Sequence, residues 1–336
     1  MTATFTVALR GALAAAALLA GAATAQAQFK PAIVYDLGGK FDKSFNEGVY
    51  NGAEKFKKET NVEYRDFEVQ NDSQREQALR RFARDGFTPV VAVGFSQATS
   101  VEKVAAEFPK TQFTIIDMVV DKPNVQSIVF KEHEGSFIVG LMAAKASKTG
   151  KVGFVGGMDI PLIRKFACGY VQGVKAGNPA AEIFQNMTGT TGQAWNDPVK
   201  GAELAKSQMD RGADVIYHAA GGTGVGVLRA VADAGKLGIG VDSNQNMLHP
   251  GKVLTSMMKR VDTATYKTFM DAKNGAWKPG VTVLGLKEEG VGYAADEHNK
   301  ALLTADIKGA ADKAVADIIS GAVKVHDYMS DSKCPM

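Results

Sequence analysis

Short apolar runs alternate with amphipathic helical patterns along this chain, and the alternation starts a second time near its middle. Four strand patterns separated by helices fit between residues 32 and 117, and the order restarts at Lys151-Val-Gly-Phe-Val-Gly-Gly157. Near the C-terminus, residues 281–293 predict one strand interrupted by glycines, and residues 323–328 predict a final short strand. Strands that alternate with helices pair in parallel, because each helix returns the chain to the same edge of the sheet. The pattern therefore predicts an α/β protein with two doubly wound parallel sheets, arranged as two lobes with a cleft between them.

Polar residues follow the first predicted strand, in the loop 36–46. In an open α/β sheet, ligands bind at the carboxyl ends of the strands, because loop backbones and helix N-termini point into the same crevice. Asp42 and Asn46 offer directional hydrogen bonds there, and Phe45 offers a flat apolar face. The alternative is that Asp42 or Ser44 only caps the following helix.

Carboxylates also end predicted strands in both halves of the chain. Asp117 ends one such run, and Asp242 ends another in the second half. The alternative role for Asp117 is a helix cap or a turn residue. One hypothesis pairs Asp242 with Lys259 in a salt bridge across the cleft, and the alternative is two unrelated surface charges.

Two loops of the second half add an aromatic ring and a flexible backbone. Trp195 lies in a loop before a helix, where its amphipathic ring is suited to contact a ligand or a partner. Gly222 lies in the glycine-rich turn 219–226, which allows a backbone to approach a ligand closely. This turn departs from the dinucleotide-binding fingerprint because residue 227 is Val, which argues against a nicotinamide cofactor.

Composition argues against several classes of function. The net charge of +3 comes from interleaved basic and acidic residues, which does not favour nucleic acid binding. The five histidines are scattered, and the sequence has no H-E-x-x-H, no G-x-S-x-G and no tight carboxylate cluster. We therefore expect a protein that is not an enzyme, with no catalytic residues, no metal site and no cofactor.

Residues 1–27 have the pattern of a signal peptide. Arg10 supplies the positive charge, residues 13–23 the short apolar region and Ala25-Gln-Ala27 the cleavage site. The apolar run is shorter than the roughly 20 residues that a membrane span needs. No cysteine lies in or just after it, so we expect a secreted, periplasmic protein without a lipid anchor.

The chain has two cysteines, Cys168 and Cys334. In an oxidising compartment, one disulfide between them would fix the last residues to the body of the protein. A reactive or metal-binding pair is the alternative, but two distant cysteines without clustered histidines do not match the spacing of metal ligands.

Seven segments, in order along nearly the whole chain after residue 27, resemble the basic membrane protein family. These are solute-binding proteins of ABC importers, and they include purine nucleoside receptors. The segments are Asp42-Lys-Ser-Phe-Asn46, Phe113-Thr-Ile-Ile-Asp117, Glu134-Gly-Ser-Phe137 with Gly140, Gly192 to Pro198, Gly221 to Gly226, Gly240-Val-Asp-Ser-Asn-Gln245 and Ser256-Met-Met-Lys-Arg-Val-Asp262.

The resemblance implies a type I periplasmic-binding-protein fold, in which two doubly wound parallel-sheet lobes are joined by three crossovers. The crossovers are expected near residues 128–133, 253–258 and 286–292. The N-terminal lobe is then expected to hold residues 28–130 and 256–288, and the C-terminal lobe residues 131–255 and 289–336.

The resemblance also implies contacts to a purine base. Phe45 and Trp195, one from each lobe, would sandwich the base, and Asn46 with Asp117 would bind its edge. Trp195 is bulkier than the phenylalanine expected in nucleoside receptors, so a free purine base or riboflavin stays open as the ligand.

For the ribose, the resemblance implies Asp242 and Lys259. A carboxylate can accept both hydroxyls of a diol, and Lys259 would keep that carboxylate ionised. Gly222 would let the backbone close on the ligand. The expected ligand-binding set is Asp42, Phe45, Asn46, Asp117, Trp195, Gly222, Asp242 and Lys259.

The function implied by the resemblance is transport. The protein would close by a hinge around a purine nucleoside of the guanosine, inosine or adenosine type and hand it to an ABC permease in the inner membrane. We expect a monomer whose partners are the small molecule and the permease. The competing enzyme hypothesis is an exported nucleoside hydrolase.

Overall fold

The computed structural model describes residues 29–335, so the expected signal peptide at 1–27 lies outside the described residues. Within 29–335 the chain forms 12 strands and nine α-helices. The strands are β1 (Ala32–Tyr35), β2 (Arg65–Glu68), β3 (Val90–Val93), β4 (Phe113–Ile116), β5 (Val125–Phe130), β6 (Lys151–Met158), β7 (Glu182–Gly189), β8 (Val215–Ala219), β9 (Leu237–Asp242), β10 (Val253–Lys259), β11 (Gly280–Leu284) and β12 (Val291–Tyr293). The helices are α1 (Phe45–Thr60), α2 (Gln74–Arg84), α3 (Ala98–Glu107), α4 (Glu132–Ala146), α5 (Pro161–Gly177), α6 (Pro198–Asp210), α7 (Thr223–Asp233), α8 (Val261–Lys273) and α9 (Ala305–Ser320). No described helix is both long and apolar enough to span a membrane.

The strands form two six-stranded sheets. The first sheet has the order β11-β5-β4-β3-β1-β2, and the second has the order β12-β10-β9-β8-β6-β7. Every pairing between these strands is parallel except that of β10 with β12. The second order repeats the first strand for strand. This confirms the α/β class and the two parallel-sheet lobes that the alternating sequence pattern predicts.

The central strands β1 and β3 are buried along their whole length because helices cover both faces of the sheet. In β1, Ile33 and Tyr35 belong to one apolar cluster, and Ala32 and Val34 belong to another on the opposite face. All four of these side chains are fully buried. With the faces occupied, the ends of the strands are the part of each sheet that remains available for a ligand.

The chain passes between the sheets three times. The passages follow β5, β10 and β11, and they lead to α4, α8 and β12. The expected lobe boundary between residues 255 and 256 is wrong, because it falls inside β10. Since β10 pairs with β9 as far as Met258, the chain leaves the second lobe only after Lys259.

Two strand predictions near the C-terminus also differ from the structure. Residues 281–293, predicted as one interrupted strand, form β11 and β12 in different sheets. The two strands are separated by a turn in which Gly290 N–H donates to the Gly285 carbonyl at 2.8 Å. The strand predicted at 323–328 is absent from the described chain, which has irregular backbone there and then a short 3-10 turn at Tyr328–Ser330.

The C-terminal segment is fixed to α5. Cys168 of α5 and Cys334 form a disulfide, with their Cα atoms 5.5 Å apart. The Gln172 side chain, one turn further along α5, donates to the His326 carbonyl at 3.0 Å and accepts from the His326 N–H at 2.8 Å. The disulfide and these two hydrogen bonds hold the C-terminal segment against α5.

The helices α4 and α5 pack with their backbones in close contact. A Cβ atom on Gly140 of α4 would lie 2.3 Å from the Tyr170 carbonyl oxygen, and one on Gly173 of α5 would lie 2.0 Å from the Phe137 carbonyl oxygen. Any larger side chain at these two positions would push the helices apart. The contact fixes the position of α5, whose first half borders the space between the lobes.

Candidate functional site

A cavity lies between the lobes, at the carboxyl ends of both sets of parallel strands. It contains about 580 Å³ of empty space, part of it open to solvent. Its walls are the loops after β1, β3 and β4, the helix α5, the loops after β7 and β8, and the ends of β9 and β10. The lining residues are Asp36, Leu37, Asp42, Phe45, Asn46, Gly94, Phe95, Asp117, Leu162, Ile163, Phe166, Trp195, Ala219, Gly221, Val241, Asp242 and Lys259.

Seven of the eight expected binding residues line this cavity. They are Asp42, Phe45, Asn46, Asp117, Trp195, Asp242 and Lys259. The exception is Gly222, because its neighbour Gly221 forms the wall instead. Gly221 has a left-handed backbone with φ of 55°, which suits glycine, and it ends the turn after β8. Gly222 packs below Trp195, and a Cβ at this position would lie 3.2 Å from the Trp195 carbonyl oxygen.

Asp42 stabilises the start of α1. Its carboxylate accepts hydrogen bonds from the backbone N–H groups of Ser44, Asn46 and Glu47 at 2.8, 3.0 and 3.1 Å. These are groups that the first turn of a helix leaves without intrahelical partners. Burial raises the pKa of Asp42 to about 7, although the three N–H donors oppose the shift. The capping alternative therefore describes what Asp42 does in this structure, while the residue also borders the cavity.

Asn46 lines the cavity and carries an acceptor without a partner among the described residues. Its side-chain amide donates to the Gly39 carbonyl at 3.1 Å, which fixes the orientation of the carboxamide. Its Oδ1 atom is buried and has no hydrogen-bond partner within residues 29–335. A buried acceptor without a partner is costly, so a donor on a ligand would be stabilising here.

Asp117 and Lys259 form an ion pair across the cleft. Lys259 Nζ lies 2.7 Å from Asp117 Oδ2, and the other carboxylate oxygen of Asp117 is buried without a partner in the described chain. Burial raises the pKa of Asp117 to about 6, against the opposing effect of the Lys259 ammonium. Burial also disfavours the ammonium, but Asp117 and Glu132 raise the pKa of Lys259, which therefore stays charged.

Asp242 occupies the position in the second lobe that Asp117 occupies in the first. Asp242 is the last residue of β9 and Asp117 directly follows β4, the fourth strand of each lobe, and both have left-handed backbones, with φ of 62° for Asp242 and 74° for Asp117. The hypothesis that Asp242 pairs with Lys259 is wrong, because Lys259 contacts Asp117 and Glu132 instead. Asp242 Oδ2 accepts a hydrogen bond from the Ser44 hydroxyl of the opposite lobe at 2.5 Å.

Aromatic rings from both lobes line the cavity. Phe45 and Phe95 come from the first lobe, and Trp195 and Phe166 come from the second. The Phe95 and Trp195 rings meet edge to face across the cleft, with centroids 6.5 Å apart. Trp195 also lies over Gly157, where a Cβ would be 2.2 Å from the indole ring. The cavity can therefore hold a flat ligand between apolar faces.

Sequence reasoning did not assign Phe95, Phe166 and Glu132 to this region. Phe95 follows β3, so the same strand-end argument that found Asp117 would have found it. Phe166 and Glu132 lie on helices among buried residues and gave no signal beyond that of core positions. Their contribution depends on how α4 and α5 are placed, which local pattern does not reveal.

Further contacts join the lobes beside the cavity. The Gln245 side chain donates to the Lys43 carbonyl at 2.9 Å, and the Ser243 hydroxyl donates to the Ser44 carbonyl at 2.8 Å. With the bond from Ser44 to Asp242, these hydrogen bonds connect the loop before α1 to the end of β9 and the loop after it. In the part of the chain that the structure describes, no cluster of His, Cys, Asp and Glu side chains is suited to hold a metal ion.

Solved structures share this fold. A solute-binding protein of an ABC transporter system from Aeropyrum pernix has a TM-score of 0.80 at 29% identity, covering 88% of this chain and 92% of its own. A second one, from Conexibacter woesei, has a TM-score of 0.73 at 22% identity, covering 89% and 99%. The fold and its interlobe cavity thus define an extracytoplasmic solute-binding protein of the ABC transporter type.

A family model narrows this class. It is described as ABC transporter substrate-binding protein PnrA-like and matches residues 29–328, and the chain belongs to this family, named Bmp. The similar proteins include the ABC transporter nucleoside-binding protein BmpA of Lactococcus lactis, 33% identical over 94% of this chain and 96% of its own. The CD4+ T-cell-stimulating antigen of Listeria monocytogenes is 34% identical over 88% of each chain. An uncharacterized lipoprotein of Pyrococcus abyssi is 37% identical over 79% of this chain and 68% of its own. The resemblance to the basic membrane proteins is confirmed.

Proposed function

We propose that this protein binds a purine nucleoside between its lobes and delivers it to an ABC permease. The observation that carries the proposal is a pair of buried acceptors without protein partners in a cavity lined by aromatic rings. Asn46 Oδ1 and Asp117 Oδ1 have no hydrogen-bond partner among the described residues. A flat ligand whose edge carries N–H groups would satisfy both acceptors and stack on the rings. The Lactococcus lactis relative is named a nucleoside-binding protein, which supports the same class of ligand.

In this proposal the first lobe binds the edge of the base. Asn46 and Asp117 both belong to the first lobe, and both offer an oxygen that can accept from ring or exocyclic N–H groups. Phe45 and Trp195 would stack on opposite faces of the base, and stacking on an aromatic side chain contributes about 1–3 kcal/mol per base. The rings come from different lobes, so stacking would also draw the lobes together.

The second lobe would bind the sugar. Asp242 faces the cavity with one oxygen held by Ser44, which leaves carboxylate lone pairs for the hydroxyls of a ribose. Lys259 has three N–H donors and two carboxylate neighbours, so one donor remains for a ligand oxygen. A free base would leave Asp242 without this partner, and for that reason we favour a nucleoside over a free base.

Closure would couple binding to transport. The hydrogen bonds between the loop before α1 and the loop after β9 form only when the lobes are together. A ligand that contacts both lobes stabilises the closed arrangement relative to the open one, and the permease would recognise that closed shape. We propose that the protein acts in the periplasm after removal of residues 1–27.

Calorimetric titration of the purified protein with guanosine, inosine, adenosine, guanine and riboflavin tests this proposal. We expect one site per chain and at least tenfold tighter binding of a purine nucleoside than of guanine or riboflavin. Tighter binding of riboflavin or guanine would contradict the proposed ligand class. Chromatography of guanosine incubated with the protein should show no released guanine, and released base would instead favour the hydrolase.

A further inference from the structure

A chain of buried charges continues from the cavity into the connection between the lobes. Behind Lys259, the Glu132 carboxylate lies with Oε1 3.0 Å from Lys259 Nζ. Its other oxygen, Oε2, lies 2.9 Å from Lys165 Nζ. Glu132 and Lys259 are 1% and 2% exposed, so water does not screen this contact. One carboxylate thus lies between two ammonium groups, and only one of these borders the cavity.

These charges occupy the passages between the lobes. Glu132 is the first residue of α4, directly after the passage that follows β5, and Lys259 is the last residue of β10, directly before the next passage. Their ion pair therefore connects two of the three passages. Lys165 of α5 also donates to the Phe130 carbonyl at the end of β5, at 2.7 Å.

The two carboxylates that contact Lys259 belong to different parts of the molecule. Asp117 is in the first lobe, so separation of the lobes would remove it from Lys259. Glu132 belongs to α4, which packs against β10, and would stay with Lys259. A buried ammonium without a counter-charge is strongly destabilising. Glu132 is placed to keep Lys259 charged and in position when Asp117 is withdrawn.

We propose that Glu132 is a positioning residue for ligand binding, which holds the Lys259 ammonium at the edge of the cavity by their ion pair. This proposal rests on the proposed function, because Lys259 is taken to contact the ligand. Glu132 does not line the cavity and acts through Lys259 alone. Lys165 balances the charge of Glu132 on the side away from the ligand.

A double-mutant cycle on the full mature chain tests this role, with guanosine affinity measured by calorimetry. Glu132→Gln should weaken binding at least tenfold in the wild-type background. In the Lys259→Met background the same substitution should change affinity less than threefold, because the group through which Glu132 acts is gone. The matched control is Glu203→Gln on α6, which has an exposed side chain paired only with Lys200 and should leave affinity unchanged.

Equal losses of guanosine affinity in both backgrounds would assign Glu132 a structural role and overturn the proposal. An unchanged guanosine affinity of the Glu132→Gln protein would also overturn it. If the Glu132→Gln protein does not fold, Glu132→Asp takes its place in the test, because this substitution keeps the negative charge and moves it away from Lys259 by about one methylene group. The same cycle then applies, with an expected loss of at least threefold only when Lys259 is present. A wild-type protein that binds no nucleoside overturns both this role and the proposed function, whereas normal wild-type binding with additive mutants overturns this role alone.

Discussion

Replacing Asp242 by asparagine separates sugar recognition from base recognition. Asparagine has nearly the same shape as aspartate and tolerates the left-handed backbone that this position requires, so the loop should keep its conformation. The substitution removes a buried carboxylate charge whose other contact is the Ser44 hydroxyl. A hydrogen bond to a charged group contributes about 1.5–3 kcal/mol, which corresponds to about a tenfold to 150-fold change in affinity. We expect a loss of that size for guanosine.

The same Asp242→Asn variant should bind guanine within about threefold of the wild type, because a free base has no hydroxyls for Asp242 to accept. Asp117→Asn is the matched comparison, since it makes the same change at the equivalent strand end of the other lobe. Asp117 is proposed to bind the edge of the base, so this variant should weaken the binding of guanosine and of guanine by similar factors. The same chemical change should therefore give a selective loss of guanosine binding at Asp242 and equal losses of guanosine and guanine binding at Asp117.

Isothermal titration calorimetry of both variants with guanosine and guanine provides the measurement. Thermal unfolding of each variant checks that the fold is retained. Equal losses for guanosine and guanine in Asp242→Asn would refute the ribose assignment. A selective loss of guanosine in Asp117→Asn would place the sugar in the first lobe and reverse the proposed orientation of the ligand.

Three further predictions follow from the same structure. Trp195→Ala should weaken nucleoside binding at least tenfold, since stacking contributes about 1–3 kcal/mol per base, and an unchanged affinity by calorimetry would remove Trp195 from the site. Because burial raises the pKa of Asp117 from 3.8 to about 6, the carboxylate takes up a proton as the pH falls through 6. Nucleoside affinity should therefore fall more steeply between pH 7 and pH 5 in the wild type than in Asp117→Asn, where only the proton uptake of Asp42, whose pKa burial raises to about 7, remains of the two. Parallel pH profiles would contradict the assignment. Reduction of the disulfide between Cys168 and Cys334 should lower the free energy of unfolding by about 2–4 kcal/mol, because it releases a crosslink between distant residues. A chain with both cysteines replaced by serine should show no response of its melting temperature to reductant, and an equal response would refute this cause.

The same Asp117 shift has a consequence for stability. Its pKa in the folded protein lies above the ordinary value of 3.8, so the folded state binds the proton more tightly than the unfolded state does. The contribution of this group to stability is fully present below about pH 4 and is lost as the pH rises to 6. The neighbouring charges of Lys259 and Glu132 act on the same carboxyl group, and removal of Lys259 would raise its pKa further.

Sequence alone predicted the sheets and seven of the residues that line the cavity for one physical reason. Parallel strands place their carboxyl ends at one edge of a sheet, so residues at the ends of apolar runs, such as Asp117 in one sheet and Asp242 in the other, are assigned to the ligand-binding edge without knowledge of long-range contacts. The same reasoning could not assign β10 to a lobe. An apolar strand is equally suited to either sheet, and only its pairing with β9 decides between them.

Charge pairing was the other part that sequence could not provide. Lys259 could have paired with Asp242, because the two residues end consecutive strands, β9 and β10. The structure places Lys259 against Asp117 and Glu132, which are brought there by the packing of α4 and by the approach of the two lobes. Such partners depend on tertiary geometry, and a pattern along one strand carries no information about them. The prediction that Gly222 lines the cavity was also wrong by one position, because its neighbour Gly221 in the turn after β8 forms the wall.

Native mass spectrometry of the full mature protein, as purified and after addition of guanosine, tests the central claim most directly. The account predicts one purine nucleoside per chain, whether carried over from the cells or added, and loss of that complex when Asp242 is replaced by asparagine. A protein that stays unliganded at saturating guanosine, or that carries over a molecule without a purine ring and a ribose, would contradict the account.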